Sequence, residues 1–175
     1  EGRDGFDIAF DILRAEFRQP VVDRKPAMVI IRAYTPDQQA QIFGHPLCMA
    51  GSDATTLAPD GPLAESVFHG AYSWASWYFQ FMVQERRLLS AAQAVQRLTQ
   101  TPARTLGLTD RGRIAPGFHA DIVAFDADGF QSAATTFEPN QLARGMRHVW
   151  VNGVPALRDG ELTGQRGGRV LRSVR

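Results

Sequence analysis

Residues 27–53 read AMVIIRAYTPDQQAQIFGHPLCMAGSD, and the order of apolar and polar stretches in this segment decides the fold class. Two short apolar runs, residues 27–31 and 47–50, show no polar alternation, which is typical of strands that are covered on both faces. Between them, the sequence TPDQ at residues 35–38 predicts a capped helix. A strand, a helix and a second strand in this order indicate a βαβ unit, and therefore parallel strands in an α/β fold.

Helices are predicted on both sides of the first apolar run. Before it, Asp4 is a suitable N-cap for a helix whose apolar residues are spaced by four, three and four positions and so share one face. These apolar residues are Phe6, Phe10, Leu13 and Phe17. After the run, Ile42 and Phe43 are expected to face inward from the short helix that Gly44 ends.

An aromatic helix is predicted over residues 72–85. Its aromatic side chains recur at helical spacing, which favours a stripe that packs in the core over a surface that stacks on a ligand. The stripe consists of Trp74, Trp77, Tyr78 and Phe81. Two shorter helices are expected to follow: a capping box opens the first at Ser90, and Gly107 closes the second.

The pattern becomes that of a β structure after Gly107. Residues 122–125 resemble a strand, and Asn152-Gly153 between two apolar runs is a strong signal for a two-residue hairpin turn. Asp159-Gly160 marks the next turn. The change predicts a boundary near residue 108, with an α/β part over residues 1–107 and a small β-rich domain with a tail over residues 108–175.

Composition excludes several classes of protein. Of the 175 residues, 44% are hydrophobic and 21% are charged, which is enough to bury a core. The net charge of +1, from 19 basic and 18 acidic residues, provides no field for a nucleic acid, and no apolar run approaches the roughly 20 residues that span a bilayer. We therefore expect no nucleic-acid partner and no membrane partner. The basic C-terminal run favours a solvated tail over a phosphate-binding patch; its arginines are Arg166, Arg169, Arg172 and Arg175.

The cysteine content and the first residues of the chain are the two features that indicate its cellular compartment. A single cysteine, Cys48, excludes internal disulfides and suits a reducing environment. Because the chain opens without a secretory signal, a cytoplasmic location is expected. It also opens without Met, which suggests a piece of a longer protein. Cys48 lies in an apolar run and is predicted to be a buried, inert thiol rather than a metal ligand.

The histidines do not form a metal-binding pattern. Neither a His-x-His pair nor a helical i, i+4 pair occurs among them. They are His45, His69, His119 and His148. A catalytic zinc needs about three protein ligands and an open position, and the spacing supplies no such cluster. No metal ligand is therefore certain within this chain, although Asp53 is a possible one.

Asp53 is the residue that position singles out. It follows the predicted strand at residues 47–50 and a Gly-Ser pair that lets the backbone turn, which is where β/α barrels place catalytic groups. A carboxylate there can ligate a metal, or take a proton from a metal-bound water and return it to a leaving group. It can equally cap its own turn, and position alone leaves both interpretations open.

A set of short segments carries a resemblance that covers residues 6–171. The segments are HP at 45–46, GSD at 51–53, TPARTLGL at 101–108, DRGRIAPG at 110–117, ADIVAFD at 120–126, TFE at 136–138 and VNG at 151–153. Through them the chain resembles the C-terminal part of the N-acyl-D-amino-acid deacylases, or D-aminoacylases, of the amidohydrolase superfamily. Residues 111–126 are typical of the whole superfamily, whereas residues 136–138 and 164–171 are more particular to the deacylases.

The resemblance implies a metal-dependent (β/α)₈ barrel with a small β domain. Residues 27–31 then resemble barrel strand seven and residues 47–50 strand eight. Asp53 matches the strand-eight aspartate, which in the family acts as general base on zinc-bound water and then protonates the leaving amine. The implied reaction is hydrolysis of the amide bond of N-acyl-D-amino acids to a carboxylate and a D-amino acid.

Two departures from the family pattern limit what the resemblance implies. The family's other zinc ligands lie upstream of the residues matched here, and a barrel of about 250 residues exceeds this chain. We therefore expect the C-terminal part of a longer enzyme, inactive alone, whose partner is its missing N-terminal part. Second, the sequence HGAY at residues 69–72 stands where many D-aminoacylases have His-Pro-Arg. His69 keeps its position, and substrate contact and packing within the loop both remain open for it.

Two other functions remain open. Because no arginine follows His69, the enzyme could be a related amidohydrolase of cyclic amides, although the deacylase-like ending at residues 164–171 argues against this. Alternatively, the chain could be a non-catalytic scaffold that docks with another polypeptide. Exposed strand edges and an uncovered apolar face would be its physical mark. The acyl group, the preferred side chain, the number of metal ions and the oligomeric state stay open.

Overall fold

A computed structural model describes residues 2–18, 33–54, 57–64, 66–68 and 70–172 of the chain. The chain divides into two compact units, residues 1–33 and residues 34–175. None of the helices in the described ranges combines the length and apolarity that crossing a bilayer requires. The predicted strand at residues 27–31 lies outside the described residues, so it stays a prediction.

The first unit contains the predicted N-terminal helix, α1 (Gly5–Phe17). Asp4 caps it, because its carboxylate accepts a hydrogen bond from the backbone N–H of Phe6 at 2.8 Å. The side chains of Phe6 and Phe10 on the predicted apolar face are exposed. The prediction of a helix from the Asp4 cap and the spacing of apolar residues is therefore confirmed.

The second unit begins with α2 (Pro36–Gly44), which starts as predicted. The Thr35 hydroxyl accepts from the backbone N–H of Gln38 at 3.2 Å, and the Gln38 side chain accepts from the backbone N–H of Thr35 at 2.9 Å. The expectation that Ile42 and Phe43 both face inward is wrong for Ile42, which is 48% exposed. Successive helical residues point about 100° apart, and α2 turns Phe43 rather than Ile42 towards the core.

The predicted strand at residues 47–50 does not form. Leu47 is 88% exposed, and the segment is irregular up to Asp53. The backbone N–H of Ala50 donates at 3.2 Å to the carbonyl of Arg97, at the end of a helix rather than in a neighbouring strand. A strand is stabilised by pairing, and in the described part of the chain no strand lies beside this segment. The prediction that residues 47–50 form the second strand of a βαβ unit is therefore wrong.

The predicted aromatic helix is helical but changes its winding. α3 (Trp74–Phe79) continues as a π-helix over Gln80–Glu85. In the π-helix, the Gln84 amide donates to the carbonyls of Ala127 at 2.8 Å and Asp128 at 3.3 Å. The Gln80 amide oxygen accepts from the backbone N–H of Ser132 at 3.1 Å. These contacts with residues far along the chain accompany the wider winding, which helical spacing alone does not predict.

The stripe on this helix packs in the core, as predicted. Tyr78 and Phe81 are buried, and the Trp77 ring stacks on the Phe81 ring with centroids 5.0 Å apart. Phe43 of α2 meets the rings of Trp77 and Tyr78 edge-on, at 5.8 and 5.7 Å. Two helices follow, α4 (Ala91–Leu98), with the predicted capping box at Ser90, and α5 (Gln100–Thr105).

A four-stranded antiparallel sheet follows the helices in the order β1-β2-β3-β4. Its strands are β1 (Ile122–Phe125), β2 (Met146–Val151), β3 (Val154–Arg158) and β4 (Glu161–Leu162). Asn152 and Gly153, with φ of 50° and 80°, connect β2 and β3, and Asp159 and Gly160 connect β3 and β4 with φ of 52° and 86°. Both predicted hairpin turns are confirmed, because Asn-Gly and Asp-Gly tolerate the positive φ that such turns require.

The core of the second unit joins its helices to its sheet. Phe79 is fully buried, and its ring lies 5.3 Å from that of Phe125 in β1 and 5.6 Å from that of Phe130. The buried cluster therefore contains residues from both sides of position 108. The predicted boundary between an α/β part at residues 1–107 and a small β-rich domain at residues 108–175 stays a prediction.

Candidate functional site

Asp53 lies in an exposed loop that follows the irregular segment at residues 47–50. The residue before Asp53 forms a hydrogen bond within this loop: the Ser52 hydroxyl accepts from the backbone N–H of Ala54 at 3.0 Å. Within the described ranges, the Asp53 carboxylate has neither a hydrogen bond nor an ion pair. Its carboxylate is thus available to a group from outside these ranges.

His69, the predicted substrate-contacting residue, lies outside the described residues. A residue far along the chain contacts the segment before His69: the Asn140 side chain donates a hydrogen bond to the carbonyl of Ser66 at 2.8 Å. Gly70 adopts a φ of 96°, a left-handed conformation that favours glycine. Both roles considered for His69 stay predictions.

The described histidines lie in separate local interactions. His45 accepts from the backbone N–H of Leu47 at 3.2 Å, and His119 Nε2 lies 3.2 Å from Asp110 Oδ2. His148 Nδ1 accepts from the backbone N–H of Asp159 at 3.3 Å. Where the chain is described, no three side chains of the His, Cys, Asp or Glu type come close enough to hold a metal ion. These residues therefore do not fit a complete zinc site, and Asp53 can be at most one member of such a site.

Arg97 organises the chain segment that leads to Asp53, and sequence reasoning missed it. From the last turn of α4 its guanidinium donates to the carbonyls of Phe43 and Gly44, where α2 ends. Burial raises the pKa of the Tyr78 hydroxyl, an effect that Arg97 partly offsets. Cys48 of this segment is a free, half-buried thiol. A basic residue in the last turn of a helix was the available signal, but its target carbonyls lie more than fifty residues away.

A second polar cluster connects the hairpin turn at Asn152-Gly153 to residues 111–126, which we call the superfamily-like segment. Asp121 accepts from the backbone N–H of Asn152 at 2.8 Å and forms an ion pair with Arg111. Arg111 also donates to the Asn152 side-chain oxygen at 2.6 Å, and its side chain is only 10% exposed. Partial burial by itself raises the pKa of Asp121, but the Asn152 N–H and the Arg111 guanidinium outweigh it and hold the pKa below its usual range. This cluster is a structural junction, and sequence analysis recognised its residues without predicting their contacts.

Three comparisons show what this chain is similar to. The sequence profile described as the amidohydrolase family matches residues 3–156, which is most of the chain. An N-acyl-D-aspartate deacylase of Alcaligenes xylosoxydans xylosoxydans is 38% identical over 134 residues, covering 75% of this chain and 25% of that protein. An N-acyl-D-glutamate deacylase of the same organism is 36% identical over 147 residues, covering 84% and 29%.

A solved structure supports the same relationship. The crystal structure of N-acyl-D-glutamate deacylase from Bordetella bronchiseptica, complexed with zinc and a phosphonate inhibitor, matches with a TM-score of 0.63 at 34% identity. The match covers 78% of this chain and 27% of that one. The resemblance to N-acyl-D-amino-acid deacylases is therefore confirmed, and the chain spans about a quarter of the length of the relatives that it matches.

Proposed function

Because the chain belongs to the amidohydrolase family, we propose that it is the C-terminal part of an enzyme that hydrolyses the amide bond of N-acyl-D-amino acids. The observation that carries this proposal is the identity to two deacylases, 38% and 36%, over three quarters or more of the chain. The complete enzyme would contain a (β/α)₈ barrel, and the sheet at residues 122–162 would belong to its small β domain. The remaining part of the same enzyme would be the partner of this chain, and a small molecule its substrate.

Asp53 is the proposed acid and base of the reaction. Its carboxylate takes a proton from the attacking water, whose oxygen bonds to the amide carbon. The same proton then passes to the amine nitrogen as the C–N bond breaks, which releases the D-amino acid and a carboxylic acid; the acid then loses the second proton of the water to become a carboxylate. One carboxylate can serve both proton transfers. The exposed, unpaired carboxylate of Asp53 within the described loop supports this role.

Zinc is the proposed metal, because a structural relative was solved with it. The described residues alone do not assemble a complete set of ligands. We infer that most zinc ligands are contributed by residues outside this chain. His69 is proposed to lie near the substrate. Because residues 70–72 contain no arginine, we infer that another part of the enzyme provides the group that binds the substrate carboxylate.

The test is an Asp53→Asn substitution in the complete protein, with Asp60→Asn as the matched control. Asp60 is an exposed aspartate of the same loop region, so its substitution changes the charge equally. We expect Asp53→Asn to lower turnover of N-acetyl-D-glutamate or N-acetyl-D-aspartate by about 10²- to 10⁴-fold, the usual contribution of a general acid or base, with metal content near normal. The control should retain activity.

Turnover by Asp53→Asn equal to that of the control would contradict the assignment of Asp53. His69→Ala is expected to reduce turnover less than Asp53→Asn does. A cyclic amide such as hydantoin belongs in the substrate panel, and turnover of hydantoin without turnover of the linear amides would favour the cyclic-amide alternative.

A specific observation favours one other function, a non-catalytic docking module. Several large apolar side chains of the second unit are exposed, among them Leu47, Leu106, Ile114 and Phe137. Apolar residues of this kind need a covering surface, which either the rest of the enzyme or a different polypeptide could provide. Co-expression with the remaining part of the enzyme, followed by co-purification and assay, separates the two: a stable complex without hydrolysis of any amide would favour the module.

A further inference from the structure

Two cavities open beside the loop at residues 107–111. The first has a volume of about 420 Å³ and is lined by this loop together with Arg104, Arg113 and Phe118. The second has a volume of about 620 Å³ and is lined by the same loop, His119 and residues 169–172. Both lie within the second unit, and residues 107–109 and Arg111 line both of them; we refer to these two neighbouring cavities together as the cleft and to each of them as a lobe. Each lobe is in the size range of small-molecule sites.

The lining of this cleft is strongly basic. Its five arginines are Arg104, Arg111, Arg113, Arg169 and Arg172. The lining contains one carboxylate, Asp110, which lies 3.2 Å from His119. Arg111 is paired with Asp121, which lies outside the lining. Within the described residues, the guanidinium groups of Arg104, Arg113 and Arg172 have no carboxylate partner.

Several of these guanidinium groups are held in place before any ligand arrives. The Arg113 guanidinium lies 4.5 Å from the centre of the Phe118 ring, and Arg169 contacts the His119 ring at 2.8 Å. Arg111 is fixed by its ion pair with Asp121 and its hydrogen bond to Asn152. A guanidinium whose orientation is already restricted loses less entropy when it binds a carboxylate or phosphate.

The residue that follows the shared loop is closely packed against α5. Gly112 follows the loop with a φ of 85°, and a Cβ at this position would lie 2.6 Å from the Ala103 Cβ and 3.0 Å from the Thr99 carbonyl. The loop therefore approaches α5 as closely as glycine allows. This contact fixes the spacing between Arg104 on α5 and Arg111 and Arg113 beside the loop.

We propose that this cleft binds a small anion that carries two or more oxyanionic groups, either phosphates or carboxylates. Arginine forks bind carboxylates and phosphates through paired N–H donors, and two lobes around one loop suit a ligand with separated negative groups. The tertiary structure places Arg169 and Arg172 of the C-terminal run, and Arg104 and Arg113 near α5, around the same loop at residues 107–111, which sequence order does not reveal. The site is formed without Asp53 or its loop, so it goes beyond the proposed hydrolysis.

The test is isothermal titration of the complete protein with pyrophosphate and, separately, with citrate, in sodium chloride of matched ionic strength. We expect one binding event per chain for at least one of the two anions. Tighter binding of pyrophosphate identifies a phosphate ligand, and tighter binding of citrate identifies a carboxylate ligand. Removing Arg104 and Arg113 together by substitution to alanine should weaken binding at least about tenfold, the effect of losing one charge-assisted hydrogen bond.

The matched control replaces Arg147 and Arg158, two exposed arginines of β2 and β3 that do not line the cleft, by alanine. It removes the same charge and should leave binding within twofold or so of the unsubstituted chain. Arg169→Gln with Arg172→Gln is a second test on the other lobe, which keeps the proposal testable if the first variant does not fold. Binding of neither anion, or equal loss in the control, would overturn the proposal and favour a solvated arginine tail. The result is independent of Asp53, because Asp53→Asn should not change anion affinity.

Discussion

The side-chain amide of Asn152 donates a hydrogen bond of 2.7 Å to the backbone carbonyl of Gly167. Asn152 is a hairpin-turn residue and Gly167 belongs to the C-terminal segment, so this bond attaches that segment to the β2–β3 turn. The same Asn152 accepts from Arg111 through its side chain and donates to Asp121 through its backbone. One turn residue thus connects the superfamily-like segment, the hairpin and the C-terminal segment.

Gly167→Ala is expected to weaken attachment of the C-terminal segment. An alanine Cβ would overlap the Val151 carbonyl and lie 2.7 Å from the Val154 Cβ, so backbone would have to shift. We expect a loss of about 1–3 kcal/mol in the free energy of unfolding, the usual effect of overpacking, together with faster tryptic cleavage after Arg169. Gly168→Ala is the control, since a Cβ there meets nothing within 4 Å. Equal stability of the two variants would show that the segment is not closely packed.

Asp121 should make stability depend on pH in the acid range. A carboxyl whose pKa is lower in the folded than in the unfolded chain contributes its stability fully above the unfolded value, about 3.9, and loses it as the pH falls through the folded value. Because the side chain is 33% exposed, we expect about 1 kcal/mol or less. Urea unfolding at pH 7 and pH 3 should show a smaller acid-dependent loss for Asp121→Asn than for the unsubstituted chain. Asp60→Asn, the control, should keep the original pH dependence.

The Tyr78 hydroxyl should contribute little to stability although its ring contributes much. The side chain is 2% exposed, and no described group meets hydrogen-bonding geometry at its hydroxyl, although the Arg97 guanidinium is near enough to lower the pKa of Tyr78. Removing an unpaired buried hydroxyl avoids a desolvation penalty, so Tyr78→Phe should change the free energy of unfolding by less than about 1 kcal/mol or increase it. Tyr78→Ala should lose about 3–5 kcal/mol because it leaves a cavity. A large loss in Tyr78→Phe, measured by urea unfolding, would reveal a hydrogen bond to the hydroxyl.

Gln84→Glu should destabilise the contact between the π-helix and residues 127–130. The amide nitrogen of Gln84 faces the carbonyls of Ala127, Asp128 and Phe130, at 2.8, 3.3 and 3.4 Å. A carboxylate cannot donate to them, so we expect a loss of about 1–3 kcal/mol in the free energy of unfolding. Gln41→Glu on the exposed side of α2 introduces the same charge without such contacts and should be nearly neutral. Comparable losses in both variants would assign the effect to charge alone.

The candidate site was only partly predictable. The sequence context of Asp53 predicts a functional role for it, and the structure places its carboxylate in an exposed, unpaired position within the described loop. Its role in catalysis stays a prediction. The prediction of a strand at residues 47–50, before Asp53, was wrong, because apolar composition alone does not supply a neighbouring strand with which to pair. Arg97 contacts carbonyls near residue 44, and no local pattern encodes a contact across that sequence separation.

Features that depend on a few adjacent residues were determined by the sequence itself. The caps at Asp4, Thr35 and Ser90 follow from side chains that accept backbone N–H bonds two or three residues away. The turn at Asn152-Gly153 follows from residues that tolerate positive φ. In contrast, the exposure of Ile42, the π-helix and the placement of Arg104 and Arg169 around one loop were decided by tertiary structure. The physical reason is that a cap or a turn is satisfied within its own segment, whereas burial, strand pairing and charge clustering depend on which distant segments pack alongside.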